Sequence, residues 1–452
     1  MEPGFRLVKL KGEKCKELRP LWEEVFSEDS EVFTEYYFKE KAAGNYGYAL
    51  EREEGAAAML YLSPYPVMLR RGGAFACREI NYIVGVATQK KCRHRGCMDR
   101  LLKEALRDMH GKAQPFTFLM PADPAIYRPY QFTYIYDRME YEVRDSFAGF
   151  TEKAVKGKQA GMLAGASGAE GGQRCTFVGK IGDRPDKAWK AAFFKRLAIA
   201  AESHLEQRYD VFIRRDTDYF QIMEKELQAQ QGGIWAFEEG GTIRGYVFYA
   251  QEMGKPEIQE SLWDKGENSD ACPVKATGVK TPVIMARIVD VRAMLSLLWV
   301  ERGEVSVDIC VSDPILEGNN GIWECDFAKE KTSVRKKRPL EWKSAELTAA
   351  SIERGGRNAG TAQMEGNMRL QAQREVRNAA ANQPGRTAAA SEEAVMTVDI
   401  SVDALTSWAF GYQEAGQCFA LPEWLSEKEK TEIWRQLGRI KRLERVWINE
   451  IV

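Results

Sequence analysis

The sequence predicts an α+β protein whose sheets mix antiparallel and parallel strands. Three observations support this fold class: repeated strand–turn–strand signals near the N-terminus, a strand–loop–helix–strand crossover after them, and a second helix followed by a hairpin further along. The length of 452 residues allows roughly two to four domains. We place units at 1–150, 151–285 and 286–452, and a long insertion at 329–393 inside the third.

The first unit is predicted to begin with helices and continue with strands. Apolar side chains recur every three or four residues over 18–26 and 32–38, which is typical of amphipathic helices. Turns at 53–55 and 70–73 then separate apolar runs that predict an antiparallel meander. These strands are Tyr46 to Glu51, Ala57 to Leu62, Val67 to Leu69 and Phe75 to Thr88.

A crossover is predicted directly after the meander. The last strand enters a polar loop, a helical stripe of apolar residues runs from Met98 to Met109, and Phe116 to Met120 forms a further short strand. Because a β-α-β connection makes its two strands parallel, the sheet should be mixed.

The second unit repeats part of this order, and the third adds another sheet. A helix from Asp216 and a hairpin over 234–250 echo the first unit, which indicates a duplicated fold. In the third unit we expect a helix over 289–298, alternating strands over 305–311 and 396–402, and a helix capped by Asp403. The ranges 157–174, 253–281 and 329–393 are predicted loops or disorder, and the basic run 335–338 is interpreted as part of a solvated insertion.

Composition excludes several classes of function. The 65 Lys and Arg residues balance 66 Asp and Glu residues, so neither nucleic acid nor a membrane surface is an expected partner. No apolar run reaches the ~18 residues that a membrane span needs, and the first residues show no targeting pattern, so we expect a cytoplasmic protein. The nine cysteines lack C-x-x-C spacing and the three histidines form no ligand motif, so we expect reduced thiols and no metal site.

The segment that carries chemistry joins the last meander strand to the crossover helix. Its loop rises into a helix N-terminus, where unpaired backbone N–H groups and the helix dipole suit a pyrophosphate. Arg93 and Arg95 would add charged contacts, and Gly96 permits close backbone approach. The predicted cofactor-binding residues are Val84, Val86, Ala87, Thr88, Arg93, His94, Arg95, Gly96, Cys97, Met98 and Asp99. The alternative is a basic helix start on the surface without a ligand.

The pattern V-A-T-x-x-x-x-R-x-x-G over 86–96 resembles the GNAT N-acetyltransferases. The segment Ala125-Ile126-Tyr127, the run Arg287-Ile288-Val289-Asp290 and the C-terminal run from Trp447 to Val452 narrow the resemblance to Eis-like (enhanced intracellular survival) acetyltransferases. That family joins two acetyltransferase folds to a sterol-carrier-like (SCP2-like) domain. The resemblance implies acetyl-CoA as cosubstrate and a primary amine as acceptor, such as an aminoglycoside, a lysine side chain or a polyamine. It also implies a homo-oligomer, since family members often form hexamers.

The resemblance assigns two roles in the reaction. Tyr127 would be the general acid that protonates the departing CoA thiolate, and the C-terminal carboxylate of Val452 would be the base that deprotonates the amine. The family's pantetheine arm pairs with the strand that is Val84 to Thr88 here. Lys90, Cys92 and Met98 depart from the usual family residues, but none of these changes removes a backbone donor.

Several alternatives stay open at the level of sequence. Tyr130, Tyr134 and Tyr136 lie near Tyr127 and could hold the acid role instead. The whole protein could be a lipid or sterol carrier that uses its third domain, or a catalytically inactive GNAT scaffold. A covalent acyl-cysteine on Cys92 or Cys97 is disfavoured because neither has a partner evident in the sequence.

Overall fold

The computed structural model describes residues 4–144, 176–180, 186–252, 255–264, 272–338, 396–421, 423 and 425–450. Within them the chain forms three larger sheets and one small two-stranded sheet, with helices packed against the larger ones. The predicted mixed α/β class is confirmed.

The first sheet is built around the predicted meander. Its main path runs β1-β2-β3-β4-β5-β12-β6, and β8 and β19 join it beside β3. The strands are β1 (Arg6–Lys11), β2 (Tyr46–Arg52), β3 (Gly55–Arg71), β4 (Ala74–Thr88), β5 (Phe116–Leu119), β6 (Thr133–Val143), β8 (Val211–Ile213), β12 (Val274–Ile288) and β19 (Val446–Trp447). The pairs β1–β2, β2–β3 and β3–β4 are antiparallel, and β4 and β5 are parallel, as the crossover required. The two short strands predicted over 57–69 are a single long strand, β3.

Helices of the first unit follow from local sequence. A 3-10 turn (Gly12–Leu18) leads into α1 (Arg19–Val25). Ser30 is the N-cap of α2 (Glu31–Tyr36), and its side chain accepts a hydrogen bond from the Phe33 N–H at 3.1 Å. A π-type turn (Tyr37–Lys41) and a 3-10 turn (Ala42–Gly44) complete this stretch. The crossover helix α3 (Cys97–Gly111) buries the predicted stripe, including Leu102, Ala105 and Leu106.

The second sheet contains the predicted second hairpin. Its order is β11-β10-β9-β7, with β7 (Thr176–Lys180), β9 (Gly233–Glu239), β10 (Thr242–Glu252) and β11 (Lys255–Trp263). The helices beside it are α5 (Lys187–Arg208) and α6 (Thr217–Ala229). Asp216 is the N-cap of α6, and its carboxylate accepts from the Tyr219 N–H at 2.9 Å. The helix-then-hairpin order therefore occurs twice.

The third sheet has the order β16-β15-β14-β17, and β14 and β17 are parallel. Its strands are β14 (Glu304–Ser312), β15 (Gly321–Ala328), β16 (Ser333–Arg338) and β17 (Met396–Ser401), while β13 (Trp299–Val300) pairs with β18 (Ile440–Lys441). The helices of this part are α7 (Val291–Leu295), α8 (Val402–Ala409), α9 (Ala415–Cys418) and α10 (Glu427–Leu437). The remaining short helix, α4 (Pro124–Tyr127), belongs to the first unit. Short 3-10 turns lie at Lys90–Cys92, Arg128–Tyr130 and Glu317–Asn319.

Three expectations are corrected here. Ser401, not Asp403, is the N-cap of α8; Asp403 lies in the first turn and accepts a hydrogen bond from the Ser401 hydroxyl. The range 253–281, predicted as loop, contains β11 and the start of β12, because cross-strand packing stabilises segments with weak local signals. The basic run 335–338 lies in β16, where Lys337 pairs with Asp308 at 3.0 Å, so it is part of a sheet edge. Residues 157–174, and those of the 329–393 insertion after 338, lie outside the described residues.

Strands that are distant in sequence complete the first sheet. β19 pairs in parallel with β8, β8 pairs antiparallel with β3, and β12 lies between β5 and β6. The Arg445 guanidinium donates to the Asp210 carboxylate at 2.6 Å beside β8 and β19. The first sheet thus takes strands from all three predicted units, and the boundaries at 150/151 and 285/286 stay predictions.

Candidate functional site

A bulge near the end of β4 shapes the candidate cofactor strand. Tyr61 faces Val84 and Met59 faces Ala87, so the β4 segment between them contains one residue more than its partner. Gly85 in this bulge has φ of 60°, and a Cβ there would lie 2.6 Å from Cζ3 of Trp22. Both the left-handed conformation and the aromatic neighbour therefore require glycine at this position.

Strands β4 and β5 separate beyond a single paired position. The two strands pair through Tyr82 and Phe118, while β4 continues to Thr88 with β3 on its other side. Among the described residues, no strand pairs with the β5-facing edge of β4 after Tyr82. The predicted residues Val84, Val86, Ala87 and Thr88 lie on this separated part, where backbone groups can bind an extended ligand.

The loop after β4 presents an uncapped helix start. Arg93, His94, Arg95 and Gly96 are exposed, and α3 begins at Cys97 without a side-chain hydrogen bond to its first turn. Gly96 has φ of 75°, and its carbonyl accepts the first helical hydrogen bond, from the Arg100 N–H at 3.1 Å. The N–H groups of Cys97, Met98 and Asp99 thus form the positive end of a 15-residue helix, an arrangement suited to phosphate.

Side chains around this loop divide into exposed cations and buried thiols. The Arg93 Nε donates to the Thr88 carbonyl at 3.3 Å, which links the end of β4 to the loop. Cys92 and Cys97 are both buried, and burial raises the pKa of the Cys97 thiol. A raised thiol pKa disfavours the nucleophilic thiolate, which argues against an acyl-cysteine here.

Tyr127 lies at the end of α4. The Asp123 carboxylate caps this short helix by accepting from the Ala125 N–H at 2.8 Å. Only 8% of Tyr127 is exposed, its ring lies 6.0 Å from that of Phe132, and burial raises its pKa to about 12. No hydrogen bond within the described part of the chain engages its hydroxyl, so that proton is available to a ligand.

The neighbouring tyrosines are placed differently. Burial and the Asp99 carboxylate, to which Tyr130 hydrogen-bonds, raise the pKa of Tyr130 to about 12. This contact brings the segment after Tyr127 against the first turn of α3, so the two predicted parts of the site are adjacent. The Tyr136 ring instead packs 6.3 Å from the ring of Trp447 in the C-terminal segment.

Val452, the predicted base, lies outside the described residues. The last described residue is Glu450, and its carboxylate is buried in a cluster of charges that sequence reasoning missed. This buried charge cluster consists of Lys41, Arg215, Glu226, Glu260 and Glu450. Its members come from positions up to 409 residues apart, and no local pattern marks any of them as a partner of the others.

Comparison with known proteins adds the family of the first unit. Residues 6–135 match the acetyltransferase (GNAT) domain family. This part of the chain is a GNAT acetyltransferase domain. The enzyme class is therefore acyltransferase, and acetyl-CoA is the cosubstrate of such a domain. Among curated proteins the sequence has no match.

Solved structures show the same fold over nearly the whole chain. A conserved protein of unknown function from Enterococcus faecalis has 15% sequence identity, a TM-score of 0.63 and 99% coverage of each chain. A GCN5-related N-acetyltransferase from Anabaena variabilis has 14% identity and a TM-score of 0.60, covering 99% of this chain and 100% of that one. Eis1 from Mycobacterium abscessus has 12% identity, a TM-score of 0.59 and the same coverages. At these identities the likeness shows the fold alone.

The described residues were also compared with the requirements of a metal site and of a membrane-spanning helix. They contain no group of three or more His, Cys, Asp or Glu side chains placed to hold a metal ion. None of their helices combines the length and the apolar character needed to cross a bilayer.

Proposed function

We propose that the protein transfers the acetyl group of acetyl-CoA to a primary amine by direct attack in a ternary complex. One observation carries the proposal: the separated edge of β4 leads, through an exposed basic loop, to the uncapped start of α3. A cofactor with an extended amide arm and a pyrophosphate has matching groups along this path.

The cofactor contacts follow the order of the chain. The pantetheine arm would pair with the β4 edge at Val84, Val86, Ala87 and Thr88. The pyrophosphate would bind the loop and helix start formed by Arg93, His94, Arg95, Gly96, Cys97, Met98 and Asp99. The exposed guanidinium groups of Arg93 and Arg95 would supply charge-assisted hydrogen bonds to its oxygens.

Tyr127 is proposed as the general acid. As the amine nitrogen attacks the thioester carbon, the C–S bond breaks and the sulfur leaves as a thiolate. A buried hydroxyl with a pKa of about 12 keeps its proton at neutral pH and can donate it to that sulfur. The Val452 carboxylate stays the predicted base.

The finer assignment is to the Eis-like acetyltransferases. The full-length structural likeness supports it, as do the two helix-then-hairpin units and the separate third sheet. The expected acceptor is an aminoglycoside, a lysine side chain or a polyamine. The third unit is proposed to be the sterol-carrier-like domain of that family, with a role in building the acceptor site.

A thiol-release assay tests the proposal. The intact protein would be mixed with acetyl-CoA and a panel of aminoglycosides, polyamines and lysine peptides, beside Tyr127→Phe and the control Tyr412→Phe. Tyr412 is a tyrosine of the third unit whose hydroxyl donates to Asp137 at 2.7 Å. We expect activity with at least one amine, a large loss in Tyr127→Phe and none in the control. A wild-type protein that binds no CoA and acetylates no amine contradicts the proposal, and retention of a copurified lipid would then favour the carrier alternative.

A further inference from the structure

The C-terminal segment is bound along the second unit as an added β-strand. In the parallel pair of β19 and β8, Val446 faces Val211 and Trp447 faces Phe212. The Trp447 side chain packs into the apolar cluster of that unit, and its ring lies 4.9 Å from the Tyr209 ring. Proteins bind extended peptides in the same way, through main-chain pairing and an apolar side chain that anchors the segment.

Polar contacts with the second unit hold the last described residues of this segment. Asn449 and Glu450 are both buried, and Asn449 Nδ2 donates to the Gln259 carbonyl at 2.6 Å. Glu450 Oε1 accepts two hydrogen bonds, from Arg215 Nη1 at 3.0 Å and from the Tyr219 hydroxyl at 3.1 Å. The segment is therefore fixed up to two positions before the end of the chain.

Three groups of the second unit fix Arg215 in turn. Its Nη2 donates to Glu260 at 2.8 Å, and its Nη1 also donates to the Ile213 carbonyl at 3.4 Å. Its guanidinium carbon lies 4.1 Å from the centre of the Tyr219 ring, and none of its side chain is exposed. Charge-assisted hydrogen bonds are strong and directional in such surroundings, so Arg215 sets the position of the Glu450 carboxylate.

The register between β8 and β3 relates Arg215 to the GNAT sheet. The two strands are antiparallel, and their pairing continues one residue past β8, where the Arg214 N–H donates to the Pro66 carbonyl at 2.8 Å. The next residues along the two chains, Arg215 and Tyr65, are therefore neighbours.

Tyr65 in turn marks the place where β4 and β5 separate. Its ring lies 6.1 Å from the Tyr82 ring and 6.3 Å from the Phe118 ring, and these two residues form the β4–β5 pair. Lys41 of the buried charge cluster also donates to the Tyr65 hydroxyl at 3.4 Å. The cluster that holds Glu450 thus lies beside the start of the candidate cofactor edge.

We propose that Arg215 and Tyr219 are positioning residues for acetyl transfer, which hold Glu450 and thereby fix the C-terminal carboxylate beside the point where β4 and β5 separate. This inference rests on the proposed function and on Val452 as its base. Residues 451 and 452 lie outside the described residues, but two residues span at most about 7 Å, so the carboxylate stays close to the anchored Glu450. The family resemblance names the carboxylate, and the contacts of Glu450 name the side chains that place it.

The reaction makes the position of this carboxylate matter. The carboxylate takes one proton from the acceptor ammonium, which leaves a neutral amine with a free lone pair. That lone pair forms the C–N bond, the C–S bond breaks, and the sulfur takes the Tyr127 proton. The remaining excess nitrogen proton restores Tyr127, and the carboxylate later releases its proton to solvent.

A chain end needs such an anchor to act as a base. Terminal residues are usually poorly ordered unless the preceding residues are tied down. A general base must lie within hydrogen-bond reach of its proton, and a misplacement of about 1 Å can cost about a hundredfold in rate. Loss of the Glu450 contacts should therefore lower the rate without touching the cofactor site.

The test compares Glu450→Ala and Tyr219→Phe with the wild type and with a chain that ends at Glu450. Glu450→Ala removes both contacts while Arg215 keeps Glu260 as its counter-ion, and Tyr219→Phe removes one hydroxyl. The first measurement is kcat with the amine found by thiol release. The second is the rate at which a carboxypeptidase removes residues 452 and 451, followed by mass spectrometry, because an anchored segment must detach before the protease can bind it.

Both measurements should change together. We expect Glu450→Ala to lower kcat at least tenfold, with KM for acetyl-CoA unchanged, and to release the terminal residues at least tenfold faster. Tyr219→Phe should change both quantities in the same direction by smaller factors. Tyr48→Phe is the matched control, since Tyr48 also donates to a carboxylate, that of Asp108 at 2.7 Å, away from the C-terminal segment.

The chain that ends at Glu450 sets the lower limit for a pure positioning effect. A variant that acts only through residues 451 and 452 cannot be slower than the chain that lacks them. A rate below that limit, a change in kcat or in release without the other, or no change in either overturns the positioning role. Rapid release from the wild type, or full activity of the shortened chain, also overturns it.

Failure of the proposed function is distinguishable from these results. A wild-type protein that acetylates no amine overturns acetyl transfer and any role in it, whereas every outcome above presupposes a measurable wild-type rate. Thermal unfolding shows whether each variant is folded, and Tyr219→Phe removes a single oxygen should Glu450→Ala fail to fold.

Discussion

Tyr82 of β4 and Phe118 of β5 form the one recorded pair between these parallel strands, and the strands separate beyond it. Their rings lie 5.1 Å apart and pack with Tyr65, so three aromatic side chains lie together at the point of separation. The same point ends the sheet on one side of β4 and opens the candidate cofactor edge. The site is therefore a consequence of how two strands pack.

Gly85→Ala should lower the free energy of unfolding by about 1–3 kcal/mol. The added Cβ meets the Trp22 ring, and residue 85 needs a positive φ that alanine adopts at a cost. Urea unfolding of Gly85→Ala and the control Gly44→Ala, where a Cβ meets nothing within 4 Å, measures the effect. Equal stability of the two variants would show that the bulge relaxes around a side chain.

Arg93→Ala should weaken CoA binding by about tenfold, with a smaller effect at high salt. Arg93 is exposed in the loop before α3, and its charge-assisted bonds to phosphate are screened by ions. Calorimetry with CoA at two salt concentrations measures this. Arg107→Ala, on an exposed turn further along α3, is the control and should bind CoA as the wild type does.

Asp313→Ala should destabilise the protein by about 3–5 kcal/mol, because it leaves a buried Arg287 without its counter-ion. Both side chains are fully buried, and Arg287 Nη2 contacts both Asp313 oxygens. Asp313 also accepts from the backbone N–H groups of Ile315 and Leu316. Guanidinium unfolding of Asp313→Ala and of Asp326→Ala, whose partner Arg335 is exposed, separates this loss from that of a more accessible ion pair. Similar midpoints for both variants would contradict it.

Stability should decrease as pH rises through the range in which folded Glu450 ionises. Its pKa is raised in the folded state, so above the ordinary glutamate pKa the unfolded chain has already lost a proton that the folded chain still holds. The folded state then binds more protons, and the free energy of unfolding falls with rising pH. Glu450→Gln should make this decline shallower above the ordinary glutamate pKa in denaturant titrations. An unchanged slope would mean that another group of the cluster takes up the proton.

Local signals in the sequence predicted much of the GNAT domain. Apolar runs separated by turn residues indicated the meander of β2 to β4, and a stripe of apolar residues indicated α3. The loop from Arg93 to Gly96 was recognisable because its chemistry comes from consecutive residues. Tyr127 was placed by resemblance, and the structure adds that its hydroxyl is free of hydrogen bonds to the described residues.

Other features depend on residues that are far apart. Strand β12 begins in a range predicted as loop, yet it pairs with both β5 and β6. The predicted N-cap of α8 was Asp403, but the N-cap in the structure is Ser401, because the position of a cap depends on where the preceding strand ends. Arg215 and Glu450 are separated by 235 positions, and the sequence around either residue does not distinguish it from an ordinary charged residue.

The sequence by itself determined the fold class, the order of the meander and crossover, and the basic loop that precedes α3, because each is set by residues close together in the chain. Only the tertiary structure decided which strands complete the first sheet, where β4 and β5 separate, and which charges surround Glu450. Those features arise from packing and from the cost of burying charge, and both depend on partners that only folding brings together.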